Sequence, residues 1–347
     1  MRIRIGYELA FEVPRPTPML LMLYLRPEAA GALQRPERIV VEPETPLENI
    51  LDWFGNRAAR ILAPAGSMRF RYDNVVEDSG RHEPSIEGLP LAPVHELPPE
   101  GWRYLLASRY CEVDRMTEIA WDLFGKTPES WERVQAVLDW VHANVTFGYQ
   151  YSRPTKTAFD VFTERQGVCR DFQHLAITFL RALNIPARYA TGYLGDIGVP
   201  AGPTPMDFSA WLEVYLGGAW STLDARHNQP RIGRLLMARG RDAVDVALTM
   251  SFGSTTLTGF TVWTDEGPFL LICFPAGPGG NGAGGIHRDD RAQDLDERQA
   301  RLCAIGSWGG RRPSLAGYVT VTGPRGPPRE GRPPLRMSFV LPILPIL

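Results

Sequence analysis

The residue best suited to covalent chemistry is Cys169, which follows Gly167 and Val168 at a predicted transition from loop to helix. A helix N-terminus carries partial positive charge and backbone N–H groups that have no partner inside the helix. This environment favours a thiolate over a thiol, and the thiolate is the nucleophilic form. We therefore predict that Cys169 is a nucleophile; if its target is a carbonyl, its own backbone N–H at the helix start would be a natural oxyanion donor.

A cysteine nucleophile needs a base to accept its proton and a group that orients the base. His174 is the nearest histidine in sequence, but on an ideal helix it lies about 140° around the axis from Cys169. We therefore expect His174 to lie on the outer face of the helix or to bond to a neighbouring element. His142 is predicted to close an earlier helix, where it would complement the C-terminal dipole.

A β-hairpin predicted around Gly217-Gly218 offers the orienting group. If these glycines are the central turn residues, continuing the strand register places Ser209 opposite Arg226. Asp224 is then the diagonal neighbour of Ser209 on the same face. The pairing predicts Asp224 as the orienting carboxylate, but it places a serine where the base is needed. A hydroxyl cannot hold a proton near neutrality as an imidazole does.

His227 is an alternative base. In the extrapolated register it faces the other side of the sheet. A bulge or a strand end after Asp224 would turn it back, and Asn228 and Pro230 do predict a loop at this point. Tyr149 could offer a hydroxyl near the thiol, although packing in the core is the expected role for its ring.

Two structural regions must position these residues. Residues 1–95 are predicted to form a β-sandwich, because apolar and polar residues alternate from Ile3 to Val13. Further strands are predicted at 19–25, 38–42, 57–62 and 68–76. A proline-rich stretch at 89–99 links this region to a second one at 105–266, which mixes helices and strands.

In the second region, one helix is predicted from Thr127-Pro128 to about Ala143 and another after Cys169, ended by Asn184 and Pro186. Strands are predicted at 187–194, 210–216 and 219–223. Arg170 and Asp171 are expected to pair with each other or with strand groups, and Trp211 and Tyr215 are expected to pack on the sheet.

Residues 267–347 form a third region that is rich in Gly, Pro and Arg and has no periodicity that could build a core. Such composition predicts disorder. Its abrupt onset motivates the hypothesis that this tail is the product of a frameshift or a misplaced stop codon. An unshifted gene with uniform codon bias would contradict this hypothesis.

Composition narrows the function classes. The net charge of −2 over 347 residues indicates neither a nucleic acid nor a membrane partner. Four cysteines without a CxxC pair indicate neither a disulfide framework nor a zinc site. The first residues alternate rather than forming a signal peptide, and no apolar run approaches the roughly 20 residues of a membrane span. These features predict a cytoplasmic protein.

Several motifs in the second region resemble the transglutaminase-like superfamily. They are Arg-Gln-Gly-Val-Cys-Arg-Asp-Phe at 165–172, Leu-Asn-Ile-Pro-Ala-Arg-Tyr at 183–189, Ala-Trp-Leu-Glu-Val-Tyr at 210–215 and Leu-Asp-Ala-Arg at 223–226. The motifs cover roughly residues 105–265, and the first region resembles the β-rich N-terminal domain of bacterial members. The third region resembles nothing in the family.

The resemblance implies a papain-like α+β core with a Cys-His-Asp triad and no metal or organic cofactor. By position, Cys169 matches the nucleophile and Asp224 the orienting carboxylate, whereas Ser209 occupies the usual position of the histidine. If the missing base is the only defect, Ser209→His should raise amidase turnover.

Two functions remain open from the sequence. One is a cysteine enzyme that acts on a carboxamide or peptide bond of a peptide or protein substrate through a thioester, as an amidase, a protease or an acyltransferase. The other is a pseudoenzyme that binds peptide or acyl groups without turnover, because Ser209 replaces the usual histidine.

Overall fold

The computed structural model describes residues 1–202, 205–267, 320–321 and 337–340. It contains helices α1 (Pro27–Ala30), α2 (Val113–Phe124), α3 (Trp131–Asn144), α4 (Ala158–Glu164) and α5 (Cys169–Ala182), with short 3-10 helices at Val94–Glu96, Pro99–Tyr104 and Tyr149–Tyr151. The strands are β1 (Arg2–Val13), β2 (Thr17–Leu21), β3 (Val40–Glu42), β4 (Glu48–Leu51), β5 (Arg57–Ala63), β6 (Gly66–Glu77), β7 (Thr146–Phe147), β8 (Gln166–Gly167), β9 (Ala187–Tyr193), β10 (Ser209–Leu216), β11 (Ala219–Leu223), β12 (Leu235–Gly240), β13 (Thr249–Ser251), β14 (Thr256–Glu266), β15 (Thr320–Val321) and β16 (Met337–Val340).

Two antiparallel sheets form the predicted β-sandwich. One has the order β14-β1-β6-β3 and the other the order β15-β16-β13-β2-β5-β4. Alternate residues of β1 are buried, and Leu9 and Phe70 of the first sheet share a core with Met19 and Ile61 of the second. The period-two pattern therefore identified the buried face correctly.

The sandwich also contains strands from outside the first 95 residues. β14 pairs along β1, and β13 pairs with β2. Both lie within the stretch 105–266, so the chain returns to the first region after passing through the helical one. The division of the chain into domains at these boundaries remains a proposal.

The helical region is built around α5. This helix packs against β9 and β10 of a third antiparallel sheet, whose order is β11-β10-β9-β12. Helices α2, α3 and α4 contact its other sides. As a result, all 14 residues of α5 are buried, as expected for a central helix whose apolar stripe continues through Phe172, Leu175 and Phe179.

The α3 helix starts later than its sequence predicts. It begins at Trp131 rather than at Thr127-Pro128, because Ser130 is extended and pairs with Pro90 in an isolated β-bridge. Its apolar stripe is buried as expected, with Val134 and Val141 both fully inaccessible.

Most of the third region, at 267–347, lies outside the described residues, and so do the predictions made for it. Its six described strand residues, in β15 and β16, extend the second sheet beside β13. No helix in the described part of the chain is both long and apolar enough to cross a bilayer.

Candidate active site

Cys169 is the first residue of α5, as its sequence predicts, and only 2% of it is exposed. The turn before it is closed by Asp171, whose Oδ2 accepts the Val168 N–H at 3.0 Å and whose Oδ1 accepts from Arg170 Nε at 3.1 Å. A Cβ on Gly167 would lie 2.6 Å from the Cβ of Asp171, so this close approach requires glycine. The expected pairing of Arg170 with Asp171 is confirmed.

Burial and the helix N-terminus act in opposite directions on the pKa of the Cys169 thiol. Removal of water raises the pKa of the Cys169 thiol to about 12, against the lowering effect of the nearby Arg226 guanidinium. The expectation of a thiolate at this helix start is therefore wrong for the free protein. The helix does begin at Cys169, but the loss of water around the thiolate raises the thiol pKa by more than the helix N-terminus lowers it.

This burial predicts slow alkylation of Cys169. A thiol whose pKa is raised from about 8.5 to near 12 is expected to react with iodoacetamide at pH 7 on the order of 100-fold more slowly than free cysteine. The rate should keep rising between pH 7 and 10, where free cysteine levels off. Mass spectrometry of the peptide containing Cys169 measures it separately from the other thiols. A rate that is independent of pH between 6 and 9 would contradict the raised pKa.

The hairpin has the register predicted around Gly217-Gly218, with Leu216 paired to Ala219 and Leu212 to Leu223. The pairing stops there, because β11 ends at Leu223. The extrapolated pairs beyond Leu223 are therefore wrong, and Arg226 does not lie opposite Ser209 in a ladder.

The chain turns after Leu223 and brings His227 onto Asp224. The Nδ1–H of His227 donates to Asp224 Oδ2 at 2.8 Å, and Asp224 Oδ1 accepts from the backbone N–H groups of Arg226 and His227 at 2.9 and 3.2 Å. The Asp224 side chain is 1% exposed and that of His227 is 23% exposed. This is the strand-end rotation that the sequence offered as an alternative.

Asp224 stays ionised despite its burial. Desolvation raises the pKa of its carboxyl, but the hydrogen bond from His227 and the charge of Arg234 lower it more, and the net pKa lies well below the usual range. Because Asp224 accepts at Nδ1, the neutral imidazole of His227 carries its free lone pair on Nε2. The pair therefore has the geometry that a base and its orienting carboxylate would need.

Gln173 joins this turn to α5, the helix that begins at Cys169. It lies one helical turn after Cys169, on the same face, and is fully buried. Its Nε2 donates to Asp224 Oδ1 at 3.0 Å, and its Oε1 accepts the Ala225 N–H at 3.1 Å. Sequence reasoning missed Gln173, although the i, i+4 spacing from Cys169 was available as a signal.

Cys169 and His227 line one cavity of about 280 Å³. Ser209 and Tyr149 lie in its wall as well. Asp224 is hydrogen-bonded to His227, so the four residues predicted from the sequence are brought together at this cavity: Cys169, Asp224, Ser209 and His227. Asp207 is a cavity residue that sequence reasoning missed. It precedes Ser209 by two positions, and extended backbone places such residues on the same side.

His174 and His142 both make structural contacts. His174 is fully buried rather than on an outer face; its Nε2 accepts the Ala243 N–H at 3.1 Å and its ring stacks on Tyr110. The alternative expectation, a bond to a neighbouring element, is confirmed. His142 Nδ1–H donates to the Arg226 carbonyl at 2.7 Å, so it supports the turn that carries His227. No group of three or more potential metal ligands occurs among the described residues.

Comparisons with known proteins identify the family. A model of the transglutaminase-like superfamily matches residues 118–225. The crystal structure of a "putative cysteine protease" from Cytophaga hutchinsonii is 31% identical and aligns with a TM-score of 0.67, covering 79% of this chain and 94% of that one. The chain belongs to the transglutaminase-like superfamily. Within the superfamily match lie Cys169, Ser209 and Asp224, whereas His227 follows its last residue by two positions.

Curated relatives of this superfamily member come from mycobacteria. An uncharacterized protein of Mycobacterium leprae is 26% identical over 219 residues, which is 60% of this chain and 77% of that protein. An uncharacterized protein of Mycobacterium tuberculosis is 34% identical over 96 residues, covering 25% of this chain and 31% of that protein.

Proposed function

We propose that this protein is a cysteine enzyme that cleaves or transfers the acyl group of a carboxamide or peptide bond through a thioester on Cys169. His227 is the base and Asp224 orients it. The observation that carries the proposal is the 2.8 Å hydrogen bond between His227 Nδ1–H and Asp224 Oδ2, beside a cavity that Cys169 also lines. This bond supplies the imidazole that Ser209 cannot replace.

The acylation step follows from this arrangement. Cys169 Sγ bonds to the carbonyl carbon while its proton passes to His227 Nε2, and the backbone N–H of Cys169 stabilises the oxyanion. The C–N bond then breaks, and the Nε2 proton goes to the departing amine. Because the resting thiol is protonated, we expect proton transfer to accompany the attack rather than to precede it.

Deacylation reverses the roles. Water or a second amine loses a proton to His227 Nε2 and attacks the thioester carbonyl. The C–S bond breaks, and the proton returns to the Cys169 sulfur. Water gives hydrolysis and an amine gives acyl transfer. A peptide or protein substrate is supported by the similarity to the Cytophaga hutchinsonii protein named above.

The burial of Cys169 favours a second candidate, a domain that binds a peptide or acyl group without turnover. In that case the high pKa of the thiol would reflect a site that no longer needs a nucleophile. The paired His227 and Asp224 favour the enzyme, because a binding domain has no use for an oriented base.

Acylation by p-nitrophenyl acetate separates the two candidates. In the enzyme, we expect one acetyl group on the peptide containing Cys169 and a burst of p-nitrophenol, followed by steady release. Cys111 is an internal control, because it is fully buried, burial raises the pKa of its thiol to about 11, and its sulfur donates to the His174 backbone carbonyl at 3.7 Å rather than to an imidazole. Acetylation of neither thiol, or of both equally, would contradict the enzyme.

The proposed activity also bears on location. Cys111 and Cys169 are both free thiols. A nucleophilic thiol must stay reduced, and a cytoplasm that keeps thiols reduced suits this requirement. We therefore propose a cytoplasmic protein.

A further inference from the structure

Asp207 is a buried carboxyl in the wall of the Cys169 cavity that the proposed chemistry does not use. Only 8% of the residue is exposed. Its Oδ1 accepts the Phe208 N–H at 2.7 Å, whereas its Oδ2 has no hydrogen-bond partner among the described residues. A buried oxygen without a partner costs free energy, so such an atom in a cavity wall calls for an explanation.

The surroundings of Asp207 do not satisfy this oxygen. Burial raises the pKa of Asp207 to about 7, and the bond to Phe208 and the charge of Arg226 only partly oppose this rise. Arg226 forms no ion pair with Asp207 in the described part of the chain; its guanidinium instead lies over the Phe147 ring, 3.6 Å from the centroid. A hydrogen-bond donor for Asp207 Oδ2 can therefore reach it from the cavity.

Asp207 and Cys169 line the same cavity. The charge of Asp207 is among those that raise the pKa of the Cys169 thiol, so the two side chains interact across the same cavity. A group held by Asp207 is thus in the same cavity as a carbonyl that Cys169 attacks. An amide differs from an ester at this point, because its leaving atom carries an N–H donor.

We propose that Asp207 is a specificity-determining residue whose free oxygen accepts the N–H of the amide that Cys169 attacks, so that the site selects amides over esters of the same acyl group. This inference rests on the proposed function for its meaning in catalysis. Asp207 holds the substrate nitrogen, and the proton transfers remain with His227.

Asp207→Asn is a sharp test of this role. The Asn side chain keeps the size of Asp207, and its single oxygen is retained by the Phe208 N–H. The NH₂ group then takes the place of Oδ2, so an acceptor in the cavity becomes a donor. Asp196→Asn is the matched control, because Asp196 lines the same cavity but both of its oxygens have partners: Oδ2 accepts the Gly202 N–H at 2.7 Å, and Oδ1 lies 4.0 Å from Arg231 Nη2.

The first measurement compares the p-nitroanilide and the p-nitrophenyl ester of N-acetylalanine. In Asp207→Asn we expect kcat/KM for the anilide to fall about 10-fold to 100-fold relative to the ester, the range for a lost hydrogen bond to a charged group. Asp196→Asn should leave the anilide-to-ester ratio within about threefold of the wild type, since its oxygen already has a partner. Equal losses on both substrates in Asp207→Asn would indicate a merely structural role and overturn the proposal.

The second measurement needs no turnover. Iodoacetamide carries N–H donors and methyl iodoacetate does not. The ratio of their alkylation rates at Cys169 therefore measures whether Asp207 accepts a hydrogen bond from the reagent. We expect this ratio to exceed that of free cysteine in the wild type and to fall to it in Asp207→Asn. If the wild type hydrolyses neither N-acetylalanine substrate, the proposed function fails, and this ratio alone decides the role of Asp207. A ratio equal to that of free cysteine in the wild type, or unchanged by Asp207→Asn, overturns it.

Discussion

Replacement of His227 by Gln is expected to lower turnover of p-nitrophenyl acetate about 100-fold to 10,000-fold, the usual contribution of a positioned general base. Without the imidazole, the Cys169 thiol loses its proposed proton acceptor, and burial raises the pKa of this thiol so that it stays protonated at neutral pH. The loss should appear in the acylation burst as well as in the steady rate, because the base acts in both half-reactions. Stopped-flow release of p-nitrophenol measures both.

Two control variants make this result specific. His95→Gln is a matched change at a histidine whose side chain is 81% exposed, and it should leave turnover unchanged. Ser209→Ala tests the position that the superfamily usually gives to histidine, and we expect less than about a threefold change because a hydroxyl is a poor base. A large loss in Ser209→Ala together with a small one in His227→Gln would show that the base is assigned to the wrong residue.

The same assignment changes the expectation for Ser209→His. Sequence reasoning predicts a gain in turnover, on the premise that Asp224 has no imidazole partner. Since His227 already occupies Asp224, a second histidine has no orienting group left, and we now expect no gain from this change alone.

Replacement of Asp171 by Ala is expected to lower the free energy of unfolding by roughly 3–5 kcal/mol, the cost of removing one partner of a buried ion pair. Asp171 is fully buried and Arg170 is 2% exposed, so the guanidinium would lose its carboxylate without gaining water. The Val168 N–H would lose its acceptor in the same change. Urea denaturation followed by circular dichroism measures the effect.

Asp160→Ala provides the matched comparison. Asp160 occupies the same capping position at the start of α4, where its Oδ2 accepts the Thr157 N–H at 3.0 Å. Its ion pair with Arg153 is more than a third exposed on both sides, and we expect a loss of about 1 kcal/mol. If the two variants lose the same free energy of unfolding, burial does not increase the contribution of the Arg170–Asp171 pair to stability.

Local patterns in the sequence accounted for much of the scaffold. Period-two alternation identified the buried face of β1, and helical spacing identified the apolar stripe of α5 and its start at Cys169. The double glycine set the register of the hairpin up to Leu223. Each of these signals depends on residues a few positions apart, whose geometry a regular helix or strand dictates. The motifs at Cys169 and Asp224 also identified the superfamily correctly.

Other features depend on groups that are distant in sequence. β11 ends at Leu223, and Gln173 of α5 binds the turn that follows, more than 50 positions along the chain. No periodicity predicts where a strand stops, because the stop is stabilised by hydrogen bonds from another element. The same holds for α3, whose start at Trp131 is delayed by the bridge of Ser130 to Pro90.

The sequence by itself determined that Cys169 begins a buried helix, that the hairpin register runs to Leu223, and that the chain belongs to the transglutaminase-like superfamily. Only the tertiary structure decided that His227 bonds to Asp224, that burial holds the Cys169 sulfur in its protonated form, and that Asp207 presents a carboxyl oxygen without a partner. The physical reason is that hydrogen-bond partners and loss of water are set by which elements meet in space. The identity and spacing of residues along the chain do not specify them.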